Sequence, residues 1–235
     1  KMPALSKHDS GYLDDRLPEN AVLIIGAGHF GGRAARILTR KSDSLIYVVD
    51  KDETSLAGIQ DLPVERILYD GVRFLVENLS FLSPSNVIIP ALPVHLAFEW
   101  LRHCLRKDFI VKQIGVPGSI KPFLPHTWPG SEGSLLVSYA DFRCPDDCPE
   151  PGDYCTVTGE KRGTPLYKLI SQLNPMDFGI HIIRSRQLAP GLGGYKVDNL
   201  REMLIKVEAK GTGKWLIGTA CKCHGTITGM EICAK

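Results

Sequence analysis

The 235-residue sequence lacks any apolar run near the roughly 18 residues needed to cross a bilayer. It also lacks a strong charge of either sign. The formal net charge is +2 and charged residues make up 23%, so nothing in the balance calls for nucleic acid or an anionic membrane surface. The opening stretch, KMPALSKHDSGYLDDRLPEN, is polar and has no apolar core of a secretory signal. It does not begin with Met, which leaves room for a segment upstream. No Gly-x-Ser-x-Gly elbow, no P-loop and no Ser-His-Asp arrangement stands out. These absences leave a soluble cytoplasmic chain as the expectation, with a 43% hydrophobic content ample for a core.

What the chain does have is an alternation of strand-like and helix-like segments. AVLII (21–25) suits a strand buried on both faces, and HFGGRAARILTRK (29–41) has helical spacing through Phe30, Ala34, Ile37 and Leu38. SLIYVVD (44–50), VERILY (64–69) and NVIIPAL (86–92) read as further strands. Helical segments follow at 52–60, 72–79 and 93–107, and FIVKQIGV (109–116) reads as a fifth strand. The pattern predicts an α/β fold with a Rossmann-like, doubly wound parallel sheet over 21–117. Residues 1–20 are expected to form a loose N-terminal arm. After a Pro- and Gly-rich stretch (117–133), a second α/β half is expected over 118–235, with strands at 134–140, 179–185, 214–220 and 225–232 and helices at 164–173 and 197–210.

GAGHFGG places Gly26-x-Gly28-x-x-Gly31 between a predicted strand and a predicted helix. In that context Gly26 permits a tight turn, Gly28 lets a pyrophosphate approach the backbone, and Gly31 allows close packing of helix on strand. Ala27, His29 and Phe30 fill the variable positions, and the helix N-terminus favours phosphate. Asp50 ends the second strand, where a carboxylate binds ribose hydroxyls and disfavours a 2′-phosphate; Lys51 beside it softens that preference. The expected ligand is NAD or NADH. The alternative is a structural glycine turn.

The segment VLIIGAGHFGGRAARIL, the strand-ending VVDKDE, Asp70-Gly71 and IIPALP resemble the nucleotide-binding regulatory domains of potassium channels and transporters, over roughly residues 20–115. The resemblance implies that Asp70, Ala91 and Leu92 lie near the adenine and ribose.

Seven cysteines are present, an odd number that argues against a disulfide framework. Cys104 sits in a helical pattern and reads as a small buried hydrophobe. Cys144, Cys148 and Cys155 share one irregular segment, and Cys221, Cys223 and His224 form a second group. Three ligands from the first group and one from the second would satisfy zinc or an iron–sulfur cluster. Free thiols or a disulfide remain the alternatives. The loop RSRQLAPGLGGYK offers an anion site, with Arg184 and Arg186 before Gly191–Gly194, or simply a flexible turn. If the second-half strands are parallel, these segments gather beyond the strands' carboxyl ends. His95 is a candidate beside a nicotinamide.

Two functions compete. One is an NAD(H)-binding regulator or sensor with a cysteine-ligated metal or iron–sulfur site. The other is an NAD-dependent oxidoreductase acting on a small anionic substrate. A homodimer is the expected assembly.

Overall fold

The computed structural model describes residue 11, residues 13–41 and residues 43–235. The chain is a mixed α/β protein with two six-membered sheets, and it divides into two units. The first runs to Leu96 and takes in Gly194–Asn199; the second holds Ala97–Gly193 and Leu200–Lys235. The sequence placed that boundary near 117. It falls instead at the start of the helix that follows the fourth strand.

In the first unit the elements are β1 (Val22–Ile25), α1 (His29–Lys41), β2 (Ile46–Asp50), α2 (Glu53–Ala57), β3 (Glu65–Leu68), α3 (Gly71–Asn78) and β4 (Val87–Pro90). The strand order is β3-β2-β1-β4, and all three pairings are parallel. Leu23, Ile24, Ile25, Val48, Val49 and Ile88 are essentially sealed from solvent. Strands buried on both faces explain why their sequences are unbroken apolar runs instead of alternating ones. Ala34, Ala35 and Leu38 of α1 and Phe74 and Leu75 of α3 supply the rest of this core.

The described part of the N-terminal stretch is not the loose arm expected for residues 1–20. Leu13 and Leu17 are buried. Asn78, fully buried, accepts from the Leu13 N–H at 2.7 Å and donates to the carbonyls of Gly11 at 2.7 Å and Phe74 at 2.9 Å. Asn86, equally buried, donates to the Pro18 carbonyl at 2.6 Å and the Glu19 carbonyl at 3.2 Å. An extended segment without a strand partner needs its backbone groups satisfied when it is buried. These two side-chain amides do that work. Residues 1–10 and residue 12 of the expected arm lie outside the described residues.

The second unit contains nearly all of α4 (Leu96–Leu105), β5 (Phe109–Ile114), β6 (His126–Pro129), β7 (Leu135–Ser138), α5 (Leu166–Ser171), β8 (Phe178–Arg184), β9 (Arg186–Ala189), most of α6 (Val197–Lys210), β11 (Gly213–Ala220) and β12 (His224–Ala234), while β10 (Leu192–Lys196) passes into the first unit at Gly194. Its sheet runs β6-β7-β12-β11-β8, and β5 also pairs with β12. Only β11 and β8 pair in parallel; the β6–β7, β7–β12, β11–β12 and β5–β12 pairings are antiparallel. The expectation of parallel strands therefore fails here. Three residues, Cys221–Cys223, join β11 to β12, and so short a link permits only an antiparallel neighbour. The fifth strand also changes sheets. In FIVKQI, Val111 is buried while the flanking Ile110 and Lys112 are exposed, an alternation suited to an antiparallel strand with one wet face. Ile120, Leu124, Leu135, Val137, Leu166, Ile170, Leu216 and Ile227 form the core against this sheet.

The glycine-rich run read as a loop is a hairpin. β9 and β10 are joined by Pro190 and Gly191, with Gly191 at φ +68°. β10 then reaches the first sheet, where Tyr195 and Lys196 pair antiparallel with Ile88 and Val87.

Candidate functional site

In the first unit, the carboxyl ends of the parallel strands carry the glycine loop. Gly26 has φ +109°, and a Cβ there would come within 2.6 Å of the Ala91 carbonyl oxygen. A Cβ on Gly31 would lie 1.8 Å from the Gly26 carbonyl oxygen, so only hydrogen lets α1 begin where it does. Gly28 differs: a Cβ there meets nothing within 4 Å. Two glycines are demanded by the fold, and the third keeps an approach to the backbone open.

Asp50, buried at the end of β2, accepts from the Ala27 N–H at 2.6 Å and the Asp52 N–H at 2.9 Å. Its carboxylate thus ties the glycine loop to the second strand's exit. Lys51 next to it is exposed. His29 and Phe30 stand exposed at the start of α1, their rings edge to face at 5.1 Å. The backbone of Ala91 and Leu92 lies against Gly26. Asp70 caps α3 by accepting from the Arg73 N–H at 2.9 Å, and Gly71 lets that helix start tight against Ile25. The residues named from the sequence for the dinucleotide are therefore gathered around the ends of β1 to β4. The exception to their chemistry is His95. Burial pushes its imidazole down to about 3, so it is neutral and idle as an acid–base group near neutral pH.

In the second unit, the register of β7, β12, β11 and β8 brings three chain segments to one end of the sheet. His224 pairs with Ser138, Gly225 with Ala220, and Ala220 with Arg184. The cysteine segment after β7, the Cys221–Cys223 turn and the β8–β9 connection meet there, although the strands are not all parallel. The 144–155 segment is moored by its backbone. Cys148 gives its carbonyl oxygen to the Gly191 N–H at 2.8 Å and to Gln187 Nε2 at 3.0 Å. The Glu150 N–H donates to Gln187 Oε1 at 2.7 Å. The Cys155 N–H donates to the Glu160 carbonyl at 2.8 Å, and Tyr154 pairs with Lys161.

The thiols are neighbours across these segments. Cys144 Sγ lies 3.4 Å from His224 Nε2, and burial holds its thiol above the ordinary value. Cys223, buried, is within electrostatic reach of Cys148, Cys155 and Cys221; burial pushes its thiol up to about 11. Cys155 is pulled down to about 7. The backbone N–H of Thr158 beside it is the main cause, while the Thr158 hydroxyl donates to Glu160 Oε2 at 3.2 Å. Cys221 Sγ accepts from the N–H groups of Cys223 at 3.4 Å and His224 at 3.3 Å. Crowding and the Arg162 charge hold the His224 imidazole below its ordinary value. Among the described residues, no three His, Cys, Asp or Glu side chains converge as a ready-made cation site.

Arg162 was invisible to the sequence reading, because GEKRG has no periodicity. Its guanidinium donates to the Tyr139 carbonyl at 3.3 Å and faces the cysteine group, with its Nε buried and unpartnered. The expected anion nest at 191–194 does not form. The Gly191 N–H is spent on Cys148, and Gly193 and Gly194 belong to β10. Arg184 lies over the Tyr167 ring at 4.5 Å, and Arg186 is exposed. Cys104 is half-buried on α4, and burial pushes its thiol up to about 11, in keeping with a packing role. No described helix is long and apolar enough to cross a membrane.

A family model described as an uncharacterized protein's C-terminal domain (AF_1314_C) matches residues 97–233. Its first residue is also the first of the second unit, so the contact pattern and the family boundary agree. An uncharacterized protein of Archaeoglobus fulgidus is 31% identical over 225 residues, covering 89% of this chain and 98% of that one. The similarity therefore extends well into the first unit. No solved structure matches the chain. The chain belongs to the AF_1314_C family.

Proposed function

We propose that the first unit binds an adenine dinucleotide, NAD or NADH, and that the chain is a nucleotide-responsive regulatory or sensor protein. The observation that carries this reading is the difference among the three glycines. Gly26 and Gly31 admit no Cβ, whereas Gly28 leaves open space at the loop's surface. A merely structural turn has no use for that third glycine; a pyrophosphate approaching the backbone does.

The parallel order β3-β2-β1-β4 supports a Rossmann-type half, with its crevice beyond the strands' carboxyl ends. The first-turn N–H groups of α1, a 13-residue helix with no acidic residue in its first turn, would face the phosphates. Asp50 would turn its carboxylate from the Ala27 N–H to the ribose hydroxyls and repel a 2′-phosphate. Ala91, Leu92 and Asp70 would border the nucleoside. The regulatory reading comes from the resemblance of this half to the domains that govern potassium channels and transporters. Nothing specific favours the oxidoreductase alternative: Arg184 is stacked on Tyr167, and His95 is held neutral.

Titration calorimetry with NADH and NADPH tests the reading. NADH is expected to bind more tightly, and Gly28→Val to abolish binding while circular dichroism stays unchanged. Absence of binding by either dinucleotide would overturn the proposal.

A further inference from the structure

We propose that a cleft in the second unit, between the short helical turn Gly118–Phe123 and the α5–β8 connection, binds an amphipathic anion, a small molecule with an apolar body and one carboxylate head. All of its lining residues belong to the second unit, so the site is independent of the dinucleotide reading. They also fall within residues 97–233, the stretch that the family model matches.

The cleft has a volume of about 750 Å³, within the range of small-molecule sites. Its floor is fixed. Ile120 is buried in the core against the second sheet, and Leu173 and Phe178 pack on that core. Its rim is different. Phe123 is 67% exposed and Met176 is 87% exposed, although both are large and apolar. One exposed apolar side chain needs no explanation. Two that flank one cleft over an apolar floor leave a surface that folding does not cover. Phenyl and thioether groups suit a hydrocarbon or aryl body, and the unbranched Met side chain adapts to its shape.

A tight turn carries Met176. Pro175 is buried, and its carbonyl accepts from the Phe178 N–H at 3.3 Å. Inside that turn Asp177 has φ +67°, a left-handed conformation uncommon for residues other than glycine. Backbone of this kind concentrates at ligand clamps, where the surroundings hold it in place.

Charge selects the sign of the ligand. Lys210, on the last turn of α6, lines the cleft, and its Nζ stands 5.0 Å from the centroid of the Trp215 ring. Lys214 Nζ lies 6.0 Å from the centroid of Phe178, which lines the cleft as well. Among the described residues, neither ammonium has a carboxylate within 4.0 Å. Asp177 also lines the cleft, but its carboxylate lies beyond that distance and neutralises neither lysine. Two unpaired cations against one acid leave a net positive field. A carboxylate head would gain a charge-assisted hydrogen bond from Lys210 Nζ. Ser119 and Asn174 add a hydroxyl and an amide to the same lining. An amine head would meet the same two cations and be repelled.

The test uses the whole chain with decanoate and decylammonium as matched probes, read by calorimetry and by magnetic resonance of methyl-labelled methionine. Decanoate is expected to bind and to shift the Met176 methyl signal, while the signals of the buried Met203 and Met230 stay in place. Decylammonium should bind about tenfold more weakly. Lys210→Met keeps the apolar stem, loses the charge and should weaken decanoate about tenfold. Phe123→Ser should weaken it by a similar factor. Ile205→Ser removes an exposed apolar side chain outside the cleft and should change nothing. Absence of decanoate binding, or equal binding of the two probes, overturns the proposal. So does decanoate binding that leaves the Met176 signal unmoved. The spectra of the intact chain locate the site without any substitution, so a variant that failed to fold would not spare the proposal. NADH titrations on the same samples judge the dinucleotide reading separately.

Discussion

At the glycine loop, three residues within six positions make the proposed dinucleotide site, whose chemistry would be supplied by backbone. At the cysteine edge, side chains from segments about 80 residues apart come together, Cys144 beside His224 among them, and backbone serves to aim them. The first is built where parallel strands end and helices begin, so its geometry is a consequence of a local strand–turn–helix unit. The second is built where antiparallel and parallel strands happen to share an edge, so its geometry depends on the register of the whole sheet. A site made from local backbone tolerates change in its side chains and no change in its glycines. A site made from distant side chains has the opposite sensitivities.

The largest effects should therefore come from single methyl groups in the first site. Gly31→Ala forces a Cβ into the Gly26 carbonyl and should cost about 3 kcal/mol of stability, read as a lowered denaturation midpoint. Gly28→Ala or Gly28→Val should leave that midpoint almost unchanged and abolish NADH binding. If both positions lose stability equally, the distinction between a folding glycine and a binding glycine is broken.

Next in size is the clasp on the N-terminal segment. Asn78→Ala strands the Leu13 N–H and the Gly11 and Phe74 carbonyls in a buried place, a loss of about 2 kcal/mol by urea unfolding. Deleting residues 1–15 should lower stability for the same reason. Asn86→Ala sharpens the point, because it frees the adjoining Pro18 and Glu19 carbonyls. A truncated chain as stable as the intact one would show that these amide bonds contribute nothing net.

This contrast also explains what was legible in the sequence. The strands β1, β2 and β4 announce themselves as apolar runs, and GAGHFGG with Asp50 announces its turn, because every relevant contact is short in sequence or set by one crossover. The cysteines could be listed but not sorted. Nothing in their spacing says that Cys144 comes to lie beside His224; the register of β12 against β7 does. β9 and β10 were hidden because Gly191, Gly193 and Gly194 mimic a loop, while their backbone is a hairpin. Asn78, Asn86 and Arg162 gave no signal, since a buried polar residue differs from an exposed one only through partners far away in the chain.

A smaller effect should follow from charge at the dinucleotide loop. Asp50→Asn keeps an oxygen for the Ala27 N–H but removes the repulsion of a 2′-phosphate. The preference for NADH over NADPH should shrink roughly tenfold, about 1.4 kcal/mol, in paired calorimetric titrations. An unchanged preference would move selectivity away from the end of β2.

The last comparison sets one half-buried histidine of each unit against the other. Burial holds His95 in the first unit down to about 3, and burial with nearby Lys206 holds His181 in the second down to about 4. Both values are depressed below 6.5, so the unfolded chain binds the proton more readily than the folded one. Stability is therefore complete well above pH 6.5 and declines as pH falls through it, continuing down toward the folded values. For His95 the loss between pH 7 and pH 5.5 should be about 1 kcal/mol. His181 should contribute less, because its value is depressed less, although its Nδ1 is buried without a partner. Urea midpoints across this range should flatten more for His95→Gln than for His181→Gln. The reverse order would mean that the second unit, not the first, sets the acid sensitivity of the chain.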